Sequence, residues 1–169
     1  GAARAVLITD DLLGGACALS TMQVLAAVLR TLEFDLVLAG ADSADGGGGI
    51  VGAGIATLLD LPLVSGAAAF EEVGEGVIRV RRIVGSGEEA VEAPLPALVV
   101  GTQLLGEPRY PTLKGIMGAR AKEIVVRTVA DLGLPLVRLE RGRHSLEDLF
   151  RDGGPEDGPT APQVPGVRA

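Results

Sequence analysis

A glycine-rich stretch near the middle of the sequence has the residue types that bind a phosphate group. Glycines let backbone N–H groups approach an anion closely, and a helix that begins directly after them favours negative charge at its N-terminus. The candidate phosphate-binding residues are Ser43, Asp45, Gly46, Gly47, Gly48, Gly49, Ile50 and Val51. The stretch therefore predicts a nucleotide site, with a surface loop that binds nothing as the alternative.

Other residue types that perform chemistry in proteins are scattered along the chain. Asp10 and Asp11 follow a predicted strand and are expected to cap the next helix rather than to contact a nucleotide. Cys17 is expected to behave as a small, buried apolar residue, and His144 as a solvated surface residue. With one histidine and no CxxC, GxSxG or P-loop motif, the sequence predicts no metal site and no catalytic residues. A binding or carrier module is favoured over an enzyme.

Composition limits the class of protein further. The 169 residues suffice for one domain with a real core, since 47% of them are hydrophobic. A net charge of −7 argues against nucleic acid or an anionic membrane surface as the main partner. The single cysteine rules out an internal disulfide framework and fits a reducing compartment, so we expect a cytoplasmic protein without a membrane span or signal peptide. The start at Gly1 without a Met, close to a strand, suggests that an amino-terminal part is absent or was processed.

Apolar periodicity places the glycine stretch between a strand and a helix. The continuous apolar run at 36–39 predicts a strand buried on both faces, and Val51, Ile55 and Leu58 have helical spacing. Residues 4–9 predict an earlier buried strand, and a helix is expected from about Leu19, with Ser20 and Thr21 as capping residues. This alternation implies a parallel sheet with helical crossovers.

The second half of the chain continues the sheet and adds a hairpin. Strands are predicted at 61–65, 96–102 and 123–127, a hairpin at 77–82 and 89–93, and a helix at 113–121. Arg79, Arg81 and Arg82 alternate with apolar residues and predict a solvated strand face, with a partner-binding role as the alternative. The predicted class is α/β, a three-layer fold with a mostly parallel sheet, helices on both faces and an inserted β-hairpin.

The sequence also predicts how the chain divides into domains. The α/β domain is expected to occupy residues 1–133. A capping-box pattern beginning at Ser145 predicts a short helical extension at 134–151. Residues 152–169 hold four Gly and four Pro and predict a disordered tail.

An apolar cluster follows a proline-stiffened loop late in the α/β domain. Leu113, Ile116 and Met117 are spaced i, i+3, i+4, as on one face of a helix. Such a cluster either faces the core or anchors a partner protein from an exposed position. Pattern alone leaves both possibilities open.

The same region carries a resemblance to a known family. The segment LPALVVGTQLLGEPRYPTLKGIMGARAKEI, residues 95–124, resembles the beta subunit of electron transfer flavoprotein. The residues that match the family pattern are Leu95, Pro96, Ala97, Glu107, Pro108, Arg109, Tyr110, Leu113, Ile116, Met117, Ala119 and Lys122. The central stretch from DLVLAG to Leu61-Pro62 is also similar, so the resemblance covers about residues 3–133.

The resemblance implies a fold and a function. It implies an α/β domain of the adenine-nucleotide alpha-hydrolase-like type that pairs with an alpha subunit. The heterodimer would hold FAD mainly in the alpha subunit and AMP, or a second FAD, at Ser43–Val51 of this chain. It would accept electrons from acyl-CoA-type dehydrogenases and pass them to a membrane quinone reductase or another acceptor. The partner-docking residues would be Arg109, Tyr110, Leu113, Ile116 and Met117, with Leu113 as the anchor.

The chain also departs from the family pattern. At Gly47, Gly48 and Ile50 the family usually has Asp, Thr and Gln, so nucleotide contacts would come from the backbone. By the resemblance, the chain lacks the family's first strand–helix units and its carboxyl-terminal arm. Two other functions stay open on this sequence: a nucleotide-binding regulatory module without electron transfer, and a degenerate chain that binds neither nucleotide nor partner.

Overall fold

A computed structural model of the chain describes residues 2–44 and 46–134. Its elements are, in order, β1 (Ala5–Ile8), α1 (Ala18–Leu29), β2 (Leu36–Gly40), α2 (Val51–Leu59), β3 (Leu63–Val73), β4 (Val77–Val84), β5 (Gly87–Pro94), β6 (Ala97–Gly101), α3 (Leu113–Ala119) and β7 (Ile124–Arg127). This order confirms the predicted α/β class. The extension at 134–151 beyond Leu134, the tail at 152–169, His144 and Asp45 lie outside the described residues.

The strands form two sheets. β1 pairs in parallel with β7, and a five-stranded sheet has the order β2-β6-β3-β4-β5. Within the larger sheet β6 lies between β2 and β3 and is parallel to both. β4 and β5 extend the sheet as an antiparallel hairpin that joins it through β3. The mostly parallel sheet with an inserted hairpin is therefore as predicted.

Strand β6 contributes side chains to both hydrophobic cores, because alternate residues of a strand point to opposite faces. Leu98 and Val100 pack with Met22 of α1 and Ile55 of α2, so the two helices cover this face. The contact is close, since a Cβ on Gly52 of α2 would lie 2.7 Å from Cγ2 of Val100. The helix can approach the sheet this closely because the position has no side chain.

The second core is built from strands alone. Its buried residues are Val64, Ala67, Ile78, Val80, Ala93, Ala97 and Val99. β3 makes this possible by changing partners along its length, pairing first with β6 and then with β4, with register shifts between the two. Gly66 lies at the change with φ of +75°, and a Cβ there would meet the carbonyl oxygen of Ile83 at 2.8 Å. Irregular pairing of this kind bends a strand, and the bend lets residues on one face of the sheet bury each other.

Three local predictions were wrong. The strands at 4–9 and 36–39 were expected to be buried, yet Leu7 is 49% and Leu38 58% exposed. The reason is that β1 and β2 each have only one partner strand within the described chain. β3 continues well beyond the predicted end at residue 65, because its second half pairs with β4. Helix α1 begins after Cys17, and no side chain caps it.

The arginines of β4 have carboxylate partners. Arg79 contacts Glu92 at 3.3 Å and Arg81 contacts Glu88 at 3.0 Å, both across the hairpin, while Arg82 contacts Glu89. These side chains are largely exposed, so each pair contributes roughly 0–1 kcal/mol at most. The structure agrees with a solvated strand face.

Candidate functional site

A cavity of about 960 Å³ opens beside β1, α1 and the carboxyl end of β2. Its polar part, here called the loop end, is lined by Asp42, Ser43, Gly46, Gly48, Gly49, Val51 and Gly52. Its other part, the apolar end, is lined by Val6, Val28, Leu29, Leu32, Val37 and Leu38. Small-molecule sites typically have volumes of about 300–1,000 Å³, so the volume of the whole cavity lies within the range of a ligand site.

The glycine-rich loop has a defined conformation that hydrogen bonds maintain. Oδ1 of Asp42 accepts hydrogen bonds from the N–H of Ser43 at 2.8 Å and from the N–H of Gly49 at 3.1 Å. The N–H of Gly47 donates to the carbonyl of Ser43 at 3.0 Å. Gly47 and Gly49 have φ of +55° and +59°, a region that residues with a side chain rarely adopt. The backbone conformation therefore favours glycine at both positions.

The N-terminus of α2 provides backbone donors at the loop end. Its N-cap residue is Ile50, which has no side-chain oxygen to accept from the first turn. The first hydrogen bond within the helix runs from the N–H of Gly54 to the carbonyl of Ile50 at 2.9 Å. The N–H groups of Val51, Gly52 and Ala53 come before it and have no acceptor within the helix. Such N–H groups and the helix dipole favour an anion. The donor set fits a phosphate group bound through the backbone.

The structure brings most of the predicted nucleotide residues together. Ser43, Gly46, Gly48, Gly49 and Val51 line the cavity, whereas Gly47 and Ile50 belong to the same loop without lining it. Asp45 is not among the described residues. Sequence reasoning missed Asp42 and Gly52.

A signal for Asp42 was present in the sequence. It directly follows the small residues at the end of β2, and an aspartate in such a turn often accepts from the backbone a few residues on. Gly52 had no comparable signal, because its role depends on how closely α2 approaches β6.

Asp10 acts as a structural residue, as predicted. Its Oδ1 accepts from the N–H of Leu12 at 3.1 Å and so caps the 3₁₀ turn Asp11–Leu13. Its Oδ2 accepts from the N–H of Val129 at 3.1 Å, which joins the ends of β1 and β7. Each oxygen of the carboxylate therefore accepts a backbone hydrogen bond that stabilises the fold.

Cys17 is exposed, contrary to the expectation that it would be buried. It is the N-cap residue of α1, and its Sγ lies 3.5 Å from Oγ of Ser20. The N–H of Ser20 and then its hydroxyl hold the pKa of the Cys17 thiol below its usual value, because both stabilise the thiolate. The exposure follows from the position of the residue at a helix end.

This geometry predicts how the reactivity of the Cys17 thiol depends on pH. We expect alkylation by iodoacetamide to reach half its maximal rate at a lower pH than for an ordinary cysteine, because the thiolate is the nucleophile. Ser20→Ala removes the hydroxyl and should move this midpoint to higher pH. Thr21→Ala is the control, since the Thr21 hydroxyl donates to the Cys17 carbonyl and not to the thiol. Equal midpoints in the wild type and Ser20→Ala would contradict the assignment.

The predicted docking residues lie together on an exposed segment. Thr112 caps α3 by accepting from the N–H of Gly115 at 3.1 Å, and every residue of the helix is exposed. Leu113 is 75% exposed, Met117 65% and Tyr110 96%. The remaining two predicted docking residues, Arg109 and Ile116, are exposed as well. Within the described chain the core-facing alternative is therefore wrong.

The described part of the chain contains neither a membrane-spanning helix nor a metal-binding cluster. Between residues 2 and 134, without Asp45, no helix is long and apolar enough to cross a membrane. In the same residues no group of three or more His, Cys, Asp or Glu side chains is arranged to hold a metal ion.

Comparison with known proteins identifies the family. Residues 1–132 match the family model described as the electron transfer flavoprotein domain. The chain is 41% identical over 135 residues to the electron transfer flavoprotein subunit beta of Mycobacterium leprae. The aligned residues make up 79% of this chain and 50% of that protein. It is 35% identical over 139 residues to the subunit of the same name from Clostridium acetobutylicum, 82% of this chain and 53% of that protein.

These relatives are longer than the present chain, which spans about half their length. The family match nevertheless covers β1 to β7, including the glycine-rich loop and α3. The chain therefore belongs to the electron transfer flavoprotein family.

Proposed function

We propose that the chain is a beta-like subunit of an electron transfer flavoprotein, an electron carrier without catalytic residues of its own. It would pair with an alpha subunit that holds most of the FAD, and dock dehydrogenases of the acyl-CoA type. A membrane quinone reductase would be the indirect electron acceptor. The chain matches only about half the length of its relatives. Its function and partners are therefore inferred from the residues within that matched half.

The observation that carries the proposal is the exposed apolar segment Arg109–Met117. A monomeric protein rarely leaves several large apolar side chains exposed on one short helix unless they contact a partner. Leu113 and Met117 protrude from α3, and Tyr110 precedes the helix in an extended loop. An apolar anchor that protrudes from the surface is typical of the centre of a protein interface.

The loop end of the cavity supports nucleotide binding by this subunit. AMP, or a second FAD, would place a phosphate against the N–H groups of Val51 and Gly52 at the start of α2. The bound flavin of the heterodimer would supply the electron-carrying chemistry, and this chain would position partners and nucleotide.

The test is co-expression of the full chain with an electron transfer flavoprotein alpha subunit. We expect a stable heterodimer in size-exclusion chromatography, with a flavin absorbance in its visible spectrum. Nucleotide extracted from the complex then distinguishes AMP from a second FAD. A chain that elutes alone and colourless would contradict the carrier function.

The uncapped N-terminus of α2 favours a second candidate, a nucleotide-binding regulatory module. This function predicts that the chain binds AMP without a flavin-carrying partner. Calorimetric titration of the isolated chain with AMP distinguishes it from a degenerate chain, which would bind neither ligand nor partner.

Gly48 offers a direct test of the nucleotide site. A side chain fits there, since a Cβ would have no neighbour closer than Cγ1 of Ile50 at 3.8 Å. We expect Gly48→Thr to tighten AMP binding about two- to twelvefold, because one added hydrogen bond contributes about 0.5–1.5 kcal/mol. Gly48→Val has the same shape without the hydroxyl and should bind like the wild type. Equal affinities of the two variants would mean that a hydroxyl at position 48 contacts no nucleotide, and absence of AMP binding to both variants and the wild type would argue against a nucleotide at this loop.

A further inference from the structure

Asp42 lies between the end of β2 and the glycine-rich loop, and its carboxylate bonds to both ends of that loop. Its Oδ1 accepts one hydrogen bond from the N–H of Ser43, where the loop begins, at 2.8 Å. The same oxygen accepts a second bond from the N–H of Gly49 at 3.1 Å, seven residues further along the chain than Asp42. One oxygen atom therefore closes the loop.

A loop of this composition is costly to hold in one conformation. Four consecutive glycines occupy positions 46–49, and glycine loses more conformational freedom on folding than any other residue. The bond from the N–H of Gly47 to the carbonyl of Ser43 closes the first part of the loop. The bond between Gly49 and Asp42 extends this closure to Ile50, the N-cap residue of α2.

The N–H groups that bond to Asp42 differ from those that would bind a phosphate. Asp42 accepts from Ser43 and Gly49, whereas a phosphate would accept from Val51 and Gly52 in the first turn of α2. All five residues line the loop end of the cavity. The carboxylate thus orders the backbone that leads into the phosphate donors without occupying them.

The charge of Asp42 indicates an indirect role. A carboxylate and a phosphate repel each other, so Asp42 does not attract the ligand by direct contact. Its contribution to binding would come through the loop conformation. A site that is already ordered binds more tightly, because only the molecules in the competent conformation take up the ligand.

We propose that Asp42 is a positioning residue of the nucleotide site. Its carboxylate oxygen holds the glycine-rich loop closed, so that the N–H groups at the start of α2 face the cavity before a phosphate arrives. The inference rests on the nucleotide binding of the proposed function and assigns this role to a residue that would not itself contact the nucleotide.

Two substitutions separate the acceptor from the charge. Asp42→Ala removes the acceptor, and we expect it to weaken AMP binding about fivefold or more, as for the loss of two weak hydrogen bonds. Asp42→Asn keeps a side-chain carbonyl oxygen that can accept from Ser43 and Gly49. It should bind AMP at least as tightly as the wild type, because it also removes a negative charge near the phosphate.

Adenosine distinguishes positioning of the phosphate from general damage to the site. It has the base and ribose of AMP but no phosphate, so its affinity should not depend on the closed loop. We expect Asp42→Ala to change adenosine binding by less than about twofold, as for a surface substitution. Titration calorimetry of the full chain, and of its complex with the alpha subunit, measures both ligands.

Amide hydrogen exchange tests the closure of the loop without any ligand. We expect the amides of Ser43 and Gly49 to exchange about fivefold faster or more in Asp42→Ala, because their acceptor is lost. Asp42→Asn should exchange like the wild type. Asp42 is exposed, so both variants should fold, and circular dichroism checks this.

Three results would overturn the positioning role alone. The first is equal AMP affinity of the wild type and Asp42→Ala. The second is an equal loss of AMP and adenosine affinity in Asp42→Ala. The third is tighter AMP binding by Asp42→Ala, which would identify the carboxylate as an internal competitor of the phosphate. Absence of AMP binding to the wild type, both alone and in the complex, would overturn the proposed nucleotide binding together with this inference.

Discussion

Replacing Leu98 by Ala is expected to lower the free energy of unfolding by about 2–5 kcal/mol, a large share of the roughly 5–15 kcal/mol of a typical domain. Leu98 is fully buried on the central strand β6 and packs with Met22 of α1 and Ile55 of α2. Truncation would leave a cavity between the sheet and both helices. The close contact of α2 with Val100 limits how far the helix can move to fill it.

The measurement is urea unfolding of the full chain, followed by circular dichroism. Leu38→Ala is the matched control, since it is the same substitution on the neighbouring strand β2, at a side chain that is 58% exposed. We expect the control to change stability by less than about 0.5 kcal/mol. Similar losses in both variants would mean that β2 is as buried as β6, contrary to the present sheet order.

Local sequence patterns predicted the elements on either side of the glycine-rich loop. The apolar run at 36–39 and the helical spacing of Val51 and Ile55 each depend on residues close in sequence, and β2 and α2 form where they were expected. The apolar pattern carries no information on how many neighbouring strands a strand has in the sheet. A continuous apolar run was interpreted as a strand buried on both faces, whereas Leu38 is 58% exposed on a strand with one partner in the described chain.

The second half of β3 illustrates the opposite error. Gly66 to Ala69 contain no β-branched residue and only small side chains, so intrinsic propensity gives no indication of a strand. The segment is nevertheless extended because it pairs with β4. Its small side chains suit the crowded bend, where Ala67 is fully buried. Tertiary pairing here outweighs local preference.

Parts of the candidate site could be predicted from the sequence and other parts could not. The glycine loop was predictable, because positive φ and close anion contact favour a recognisable residue type. The cavity was not predictable, since β1, α1, β2 and the loop all contribute to it. For α3, spacing identified Leu113 and Met117 as one apolar cluster, and only the structure distinguishes an exposed cluster from a core-facing one.

Under the proposed function, Leu113→Asp is expected to weaken dehydrogenase binding roughly 30-fold, as for loss of an interface hot spot of about 2 kcal/mol. Leu113 is 75% exposed, so the free chain should keep its stability. Titration calorimetry of the complex with the alpha subunit against an acyl-CoA-type dehydrogenase measures the effect. Leu104→Asp is the control, because Leu104 is 60% exposed outside the docking segment. Equal effects of both substitutions would attribute the loss to added negative charge, and no effect of Leu113→Asp would contradict docking through α3.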